Sequence, residues 1–321
     1  MNSRNCKIIA TYFGNRRYYP QTAEDTIEVL KDFIKNEQNL DPGVDNLDVI
    51  FINHDCGNKE GKTFLDKVDG KKIFCGIIRV FHRDWDNGAG LSLGSYNYGF
   101  KKLKDEYDYW FFHEDDYKII KKDYYGKGVN ILKNNKDIAM VGYDMVKALD
   151  AGELTYTQTK NHIRTIRILK IIFGFLIKWW GYGEYKDKHH EIMDKTIKLI
   201  SQGQPTHAAG PCALTHIKFL NLIVEKNGDL PHHNIPNPQP YKPFKRNKST
   251  VNSFMDSIKQ LTLQPKYTTW HWLHCILGEL EFSRVYYDLG FRITAYPDKE
   301  NLLYSYKIKN TKKVEKNKKY Y

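Results

Sequence analysis

The sequence predicts an α/β fold, a mainly parallel sheet flanked by helices, and three observations carry that expectation. Strand-like apolar runs alternate with helical apolar spacing through the first half of the chain. Such alternation implies parallel pairing through right-handed crossovers. An aromatic run, Tyr107-Asp108-Tyr109-Trp110-Phe111-Phe112, then ends in His113-Glu114-Asp115-Asp116. In an open α/β sheet the carboxyl ends of strands are where ligands sit.

The elements follow in order. Lys7–Tyr12 reads as a short strand, and Thr22–Asn36 carries helical spacing through Ile27, Leu30, Phe33 and Ile34. Leu47–Asn53 and Ile73–Val80 are further strands. A helix is expected from about Ser92 to Asp105, with Tyr96, Phe100 and Leu103 on one face. The aromatic strand comes next, then Ile138–Tyr143. In the second half Asn161–Gly181 is an amphipathic helix. Pro231–Pro243 holds five of the eleven prolines and is a loop. Thr268–Gly290 returns to helix, and Phe291–Tyr296 is a short strand.

With 321 residues, 41% hydrophobic and 14% aromatic, the chain has the composition of a globular protein with a sizeable core. Five cysteines, at 6, 56, 75, 212 and 275, have no CxxC or Cys/His ligand spacing and read as free thiols in a reducing compartment. No run of about 20 apolar residues and no leader pattern is visible, so a cytoplasmic location is expected. The net charge of +12 is uneven: residues 307–321 hold seven lysines and one glutamate, which is +6. A basic tail of this kind does not map charge onto a folded face, so no nucleic acid is expected as a partner. It is a solvated segment or one drawn to an anionic membrane surface.

Three consecutive carboxylates at a strand end repel one another unless a cation neutralises them. Oxygen ligands suit a hard divalent ion, Mg²⁺ or Mn²⁺, and such an ion suits a diphosphate. The competing reading is a solvated acidic turn. Other candidate residues lie at the same predicted edge. Thr11 and Tyr12 end the first strand, Asp55 follows the second, and four glycines fall within Asn87–Gly99 at a helix start. Glycines there let the backbone approach a ligand and aim N–H groups at it. For Asp55 a turn role competes.

Asn87, Gly88, Asn97 and Gly99, the YDYW strand and Glu114-Asp115-Asp116 together resemble the GT-A-fold (Rossmann-like) glycosyltransferases of the inverting, family-2-like group. His207–Leu214 is similar to that family's small, glycine-containing strand near the sugar, where Gly210 would lie. Gly278–Ile293 is similar to its segment with an acid at a helix start that deprotonates the acceptor. The resemblance covers about residues 5–145 and 205–295. It implies a single glycosyltransferase domain over 1–300, with a nucleotide-sugar half (1–145) and an acceptor half (146–300), followed by the basic tail 301–321. It implies Asp116 and Asp115 as ligands of Mn²⁺ or Mg²⁺, and Thr11, Tyr12, Asp55, Asn87, Asn97, Glu114, Asp115 and Gly210 around the nucleotide-sugar. It implies Glu279 or Glu281 as base, with Glu where the family usually has Asp. The activity implied is sugar transfer from a nucleotide-diphosphate-sugar donor to a hydroxyl of a glycan, lipid-linked or protein acceptor, with inversion. His232, His233, His271 and His274 offer a further metal ligand, against chance clustering among 12 histidines.

Other readings stay open. A nucleotidyltransferase also needs acids, a cation and a nucleotide on an α/β sheet, but Gly14-Asn15-Arg16-Arg17 is short for its glycine-rich loop. A non-enzymatic membrane- or polyanion-binding protein accounts for the basic segments and leaves the acids unexplained. Asn161–Gly181 carries Ile168, Leu169, Ile172, Phe173, Leu176, Trp179 and Trp180 as an apolar stripe. Arg164, Arg167, Lys170 and Lys178 give it positive charge, and it contains no acid. It is a helix packed over the core, or one lying in a membrane interface and too short to span a bilayer.

Overall fold

The computed structural model describes residues 3–14, 20, 22–84, 91–144, 156–179, 184–205, 208, 212–232, 268–298 and 300–306. β1 (Asn5–Thr11), β2 (Asp48–His54), β3 (Ile78–Arg83), β4 (Tyr109–Glu114), β6 (Ile138–Gly142), β7 (Ala213–His216) and β8 (Arg292–Ala295) form one sheet. Its order is β3-β2-β1-β4-β7-β6-β8. β7 runs antiparallel to both neighbours, and the other pairs are parallel. The expected α/β fold is thus present. β5 (Tyr117–Ile119) and β9 (Leu303–Ser305) make a small antiparallel sheet of their own.

Helices cover both faces of the large sheet, which is why its strands are apolar on both sides. Ile9, Val49, Phe51 and Ile78 pack under α1 (Ala23–Asn39) and α2 (Lys59–Val68). The alternate residues Ile8, Ile50, Ile52, Trp110 and Phe112 pack under α3 (Leu91–Leu103), α7 (Ile217–Asn227) and α8 (Thr268–Asp288). Phe111, Val141 and Leu214 lie against α4 (Tyr124–Asn134). α1 begins with a capping box in which Thr22 and Asp25 bond each other's backbone N–H. α5 (Tyr156–Trp179) and α6 (Glu184–Ser201) pair with each other, joined by Lys170 and Asp194 at 2.7 Å.

One strand differs from the sequence reading. Ile73–Val80 was expected as one strand, but residues 72–77 reverse direction. Ile73 N–H donates to Gly76 O, Lys72 bridges Ile77, and Asp48 Oδ1 accepts from Ile77 N–H. The strand itself runs on through Phe81, His82 and Arg83, and the last two are polar residues that an edge position tolerates. Within His207–Leu214 the described residues are Ala208, which makes a bridge, and Cys212–Leu214, where β7 begins at Ala213. α2, α4, α6 and α7 escaped the pattern reading. α6 does carry buried Ile192, Met193, Thr196, Leu199 and Ile200 at helical spacing, but charged residues dilute the signal. In α4, glycines argue against a helix, yet a Cβ at Gly128 would meet the Tyr143 hydroxyl at 2.1 Å.

Candidate active site

The chain lays down β1, β2 and β3 in one direction, then returns to the other side of β1 to add β4. The order therefore reverses between β1 and β4, and crevices at such switch points, outside the carboxyl ends, are where open α/β sheets bind ligands. Registers bring the strand ends to one edge: Ala10 opposite Glu114, Thr11 opposite Asn53, and Asn53 opposite His82.

The acids sit at this reversal. Glu114, half-buried, accepts a 3.0 Å hydrogen bond from the Ser92 hydroxyl in the first turn of α3. Asp115 and Asp116 are buried, and Asp115 Oδ2 accepts from the Thr11 hydroxyl at 2.7 Å. Tyr306 N–H donates to Asp116 O, and β5 leaves the turn to pair with β9. Carboxylates fixed from two sides do not form a solvated acidic turn. His113, just before them, is fully buried between Phe33, Phe111 and Tyr117, and burial holds its imidazole well below the usual pKa.

The other predicted residues divide. Tyr12 follows β1 and is half-buried. Asp55 follows β2, and its Oδ1 accepts from Gly57 N–H at 2.8 Å, an Asx turn at the same sheet edge. Asn97 is buried in α3, where its Oδ1 accepts from Leu230 N–H at 3.1 Å and so staples the helix to the segment after α7. Gly99 has a packing role: a Cβ there would meet Ile8 Cδ1 at 2.4 Å, so its absence lets α3 lie close on the sheet. Asn87, Gly88 and Gly210 lie outside the described residues, as do His233 and the side chains of His271 and His274.

Glu279 and Glu281 are not at a helix start. α8 begins at Thr268, and the run through Trp270-His271-Trp272-Leu273 continues into the acids without a cap. What positions them is the direction of α8 on the sheet. Phe282 packs edge-on against Phe112 at 5.1 Å, while the Tyr286 hydroxyl lies 3.4 Å from Thr215 Oγ1, and Thr215 is opposite Trp110. The helix therefore descends as β4 ascends. Glu279, three residues before Phe282, stands roughly 4.5 Å further along the helix axis, toward the level of Glu114. Ser283, one turn from Glu279, accepts from Ala208 N–H at 3.2 Å, so Ala208 lies against this part of α8. Glu281 turns elsewhere: it pairs with Lys188 of α6 at 3.1 Å, beside Arg284, which also meets Glu191 and Asp288.

No family model matches the chain, and no curated protein matches it. Solved structures do. The chain is similar to a CMP:2-keto-3-deoxy-manno-octonic acid synthetase complexed with CTP, with TM-score 0.31 and 12% identity over 47% of this chain and 56% of that one. It is similar to mouse xyloside xylosyltransferase 1, with TM-score 0.28 and 8% identity over 44% and 52%. It is similar to the mannosyltransferase Ktr4p from S. cerevisiae, with TM-score 0.31 and 13% identity over 68% and 57%. The chain spans a little over half the length of each of these structures.

For a metal ion, the donor chemistry decides the fit. Among the described residues no three of His, Cys, Asp or Glu gather as a ready ligand set. A cation held at this turn would take from the protein the carboxylates of Asp115 and Asp116, both buried. That pair suits an octahedral ion such as Mg²⁺, which takes one or two carboxylates and fills its shell with water and substrate phosphate.

Proposed function

We propose that this chain is a glycosyltransferase that moves a sugar from a nucleotide-diphosphate-sugar to an acceptor hydroxyl with inversion. The observation that supports it is the antiparallel register of α8 on β4, which brings Glu279 toward the sheet edge where Glu114, Asp115 and Asp116 end. An acid triplet alone is compatible with many nucleotide-binding sites. A separate carboxylate approaching the same edge from another element adds a base to a donor site.

On this reading residues 1–145 hold the donor and 146–300 face the acceptor. Thr11, Tyr12, Asp55, Asn87, Glu114, Asp115 and Gly210 would surround the nucleotide-sugar, with Thr11 holding Asp115 in place, while Asn97 acts at one remove by tying α3 to Leu230. Asp115 and Asp116 hold the Mg²⁺ or Mn²⁺, which when bound neutralises charge on the diphosphate. The Glu279 carboxylate takes the acceptor's hydroxyl proton as that oxygen attacks the anomeric carbon. One carbon–oxygen bond forms on the face opposite the breaking bond to the diphosphate. The nucleoside diphosphate departs with the bonding electron pair, so a single displacement inverts the centre. Glu281 pairs with Lys188 of α6, and the reading takes Glu279 as base from the direction of α8 on β4, with Glu281 as the alternative.

Binding of a panel of nucleotide-diphosphate-sugars, with and without Mn²⁺, in the native chain and in Asp116→Ala, tests the proposal. Metal-dependent binding lost in Asp116→Ala is expected, together with slow hydrolysis of the bound donor. Absence of metal-dependent binding across the panel sinks it. Release of pyrophosphate from a nucleoside triphosphate and a sugar phosphate moves the assignment to a nucleotidyltransferase.

A further inference from the structure

Four of the eight exposed large hydrophobic side chains among the described residues lie on one helix, α5. Ile168 is 47% exposed, Ile171 72%, Ile172 48% and Phe175 68%. Their spacing, i, i+3, i+4 and i+7, makes a single stripe along one face. The opposite face is the one that α6 covers. Ile166 is buried, Lys170 pairs with Asp194, and a Cβ at Gly174 would meet His190 Nε2 at 2.4 Å. The stripe is thus turned away from the helix that holds α5.

The sign of the surrounding charge selects what covers it. α5 carries Lys160, Arg164, Arg167, Lys170 and Lys178 and no acid. Arg164 and Arg167 are exposed beside the stripe. A second copy docked face to face would set these cations against each other. A surface that accepts apolar side chains and carries negative charge matches both features at once. No helix of the described residues is long and apolar enough to cross a membrane, so contact lies in the plane of the surface. For α5 this follows from its five cations and not from its length, since 24 residues span roughly 36 Å as helix. That corrects the expectation that the segment is too short to span. The exposed stripe also differs from the one read in the sequence. Ile171 and Phe175 join Ile168 and Ile172, while the side chains of Leu169, Phe173, Leu176, Trp179 and Trp180 lie outside the described set.

We infer that α5 docks this chain onto an anionic lipid bilayer, with Ile168, Ile171, Ile172 and Phe175 in the interface and Arg164 and Arg167 at the headgroups. The inference is independent of the donor chemistry proposed above. Sedimentation with vesicles of phosphatidylcholine alone, and of phosphatidylcholine with phosphatidylserine, tests it on the full chain. The native protein is expected to pellet with the phosphatidylserine vesicles. Ile171→Ser/Phe175→Ser lowers that partitioning about tenfold or more, and Arg164→Gln/Arg167→Gln removes the preference for phosphatidylserine. These positions are exposed, so unchanged circular dichroism and thermal midpoint certify the fold. Native protein that stays in the supernatant overturns the inference. So does equal pelleting of the apolar variant, which assigns the binding to the lysine tail. A dimer in sedimentation velocity that the apolar variant abolishes, without vesicle binding, gives the face to a second copy and also overturns it. Nucleotide-sugar binding stays equal across these variants, which separates this outcome from a failure of the transferase reading.

Discussion

The Thr11 hydroxyl donates a 2.7 Å hydrogen bond to Asp115 Oδ2 across 104 residues of sequence and joins the ends of β1 and β4 where the strand order reverses. Both residues are buried, so the bond forms with little competition from water. Thr11→Val keeps the shape and removes the donor. It is expected to cost about 1–3 kcal/mol of stability, measured by urea unfolding, and to weaken metal-dependent donor binding. Thr11→Ser should restore both. Thr11→Val indistinguishable from native in both measurements removes Thr11 from the site.

Glu279 and Glu281 are two residues apart on α8 and face different surroundings. Glu279→Gln is expected to lower transfer by roughly 10²-fold or more with donor binding retained, the signature of a lost proton acceptor. Glu281→Gln should leave transfer within a few-fold and mainly loosen α8 from α6. Steady-state transfer rates with isothermal binding of the donor decide between them. The reverse pattern assigns the base to Glu281.

Lys7 lies inside β1, fully buried, with its ammonium 2.8 Å from both Glu37 oxygens and 4.6 Å above the Tyr124 ring. Burial pulls its pKa down, and Glu37 opposes that shift. Glu37→Gln strands a buried cation and is expected to cost about 3–5 kcal/mol, read from urea midpoints. Lys7→Met/Glu37→Leu should recover most of that loss, because no charge then remains to desolvate. A double variant as unstable as the single one contradicts this account.

Two buried histidines make stability depend on pH. Burial holds His113 well below its ordinary pKa and lowers His189 to about 4. The unfolded chain binds these protons near pH 6.5 and the folded chain does not, so unfolding takes up protons between about pH 6.5 and 4. Stability is therefore full above about 6.5 and falls with acidification through that window. Urea midpoints at pH 7 and pH 5 check the sign, and His189→Gln should flatten the slope. A midpoint that rises on acidification is the opposite result.

The strands were legible where local pattern suffices. LDVIFIN and YDYWFFHE are apolar on both faces, and a run of that kind is a strand buried between helix layers whatever its neighbours. The acids at 114–116 were likewise visible as a strand end that repels itself. The Ile73–Val80 boundary was not, because Asp48 on another strand turns the chain at Ile77. Gly99 looked like part of a ligand loop, and only Ile8 beneath it shows why the glycine is there.

The family resemblance implies a helix start at Glu279, whereas the apolar spacing implies a helix over Thr268–Gly290, and the structure follows the spacing. α8 begins at Thr268, eleven residues before Glu279, where the helical spacing of the sequence puts its start. Periodicity and charge clustering depend on residues a few positions apart, so the α/β class and the acidic strand end were readable without coordinates. The pairing of Thr11 with Asp115, the reversal of order at β1 and β4, and the descent of Phe282 and Tyr286 along β4 join residues more than 60 positions apart. Such contacts are set by packing of whole layers, which maximises burial over the entire sheet, and no short segment encodes that choice.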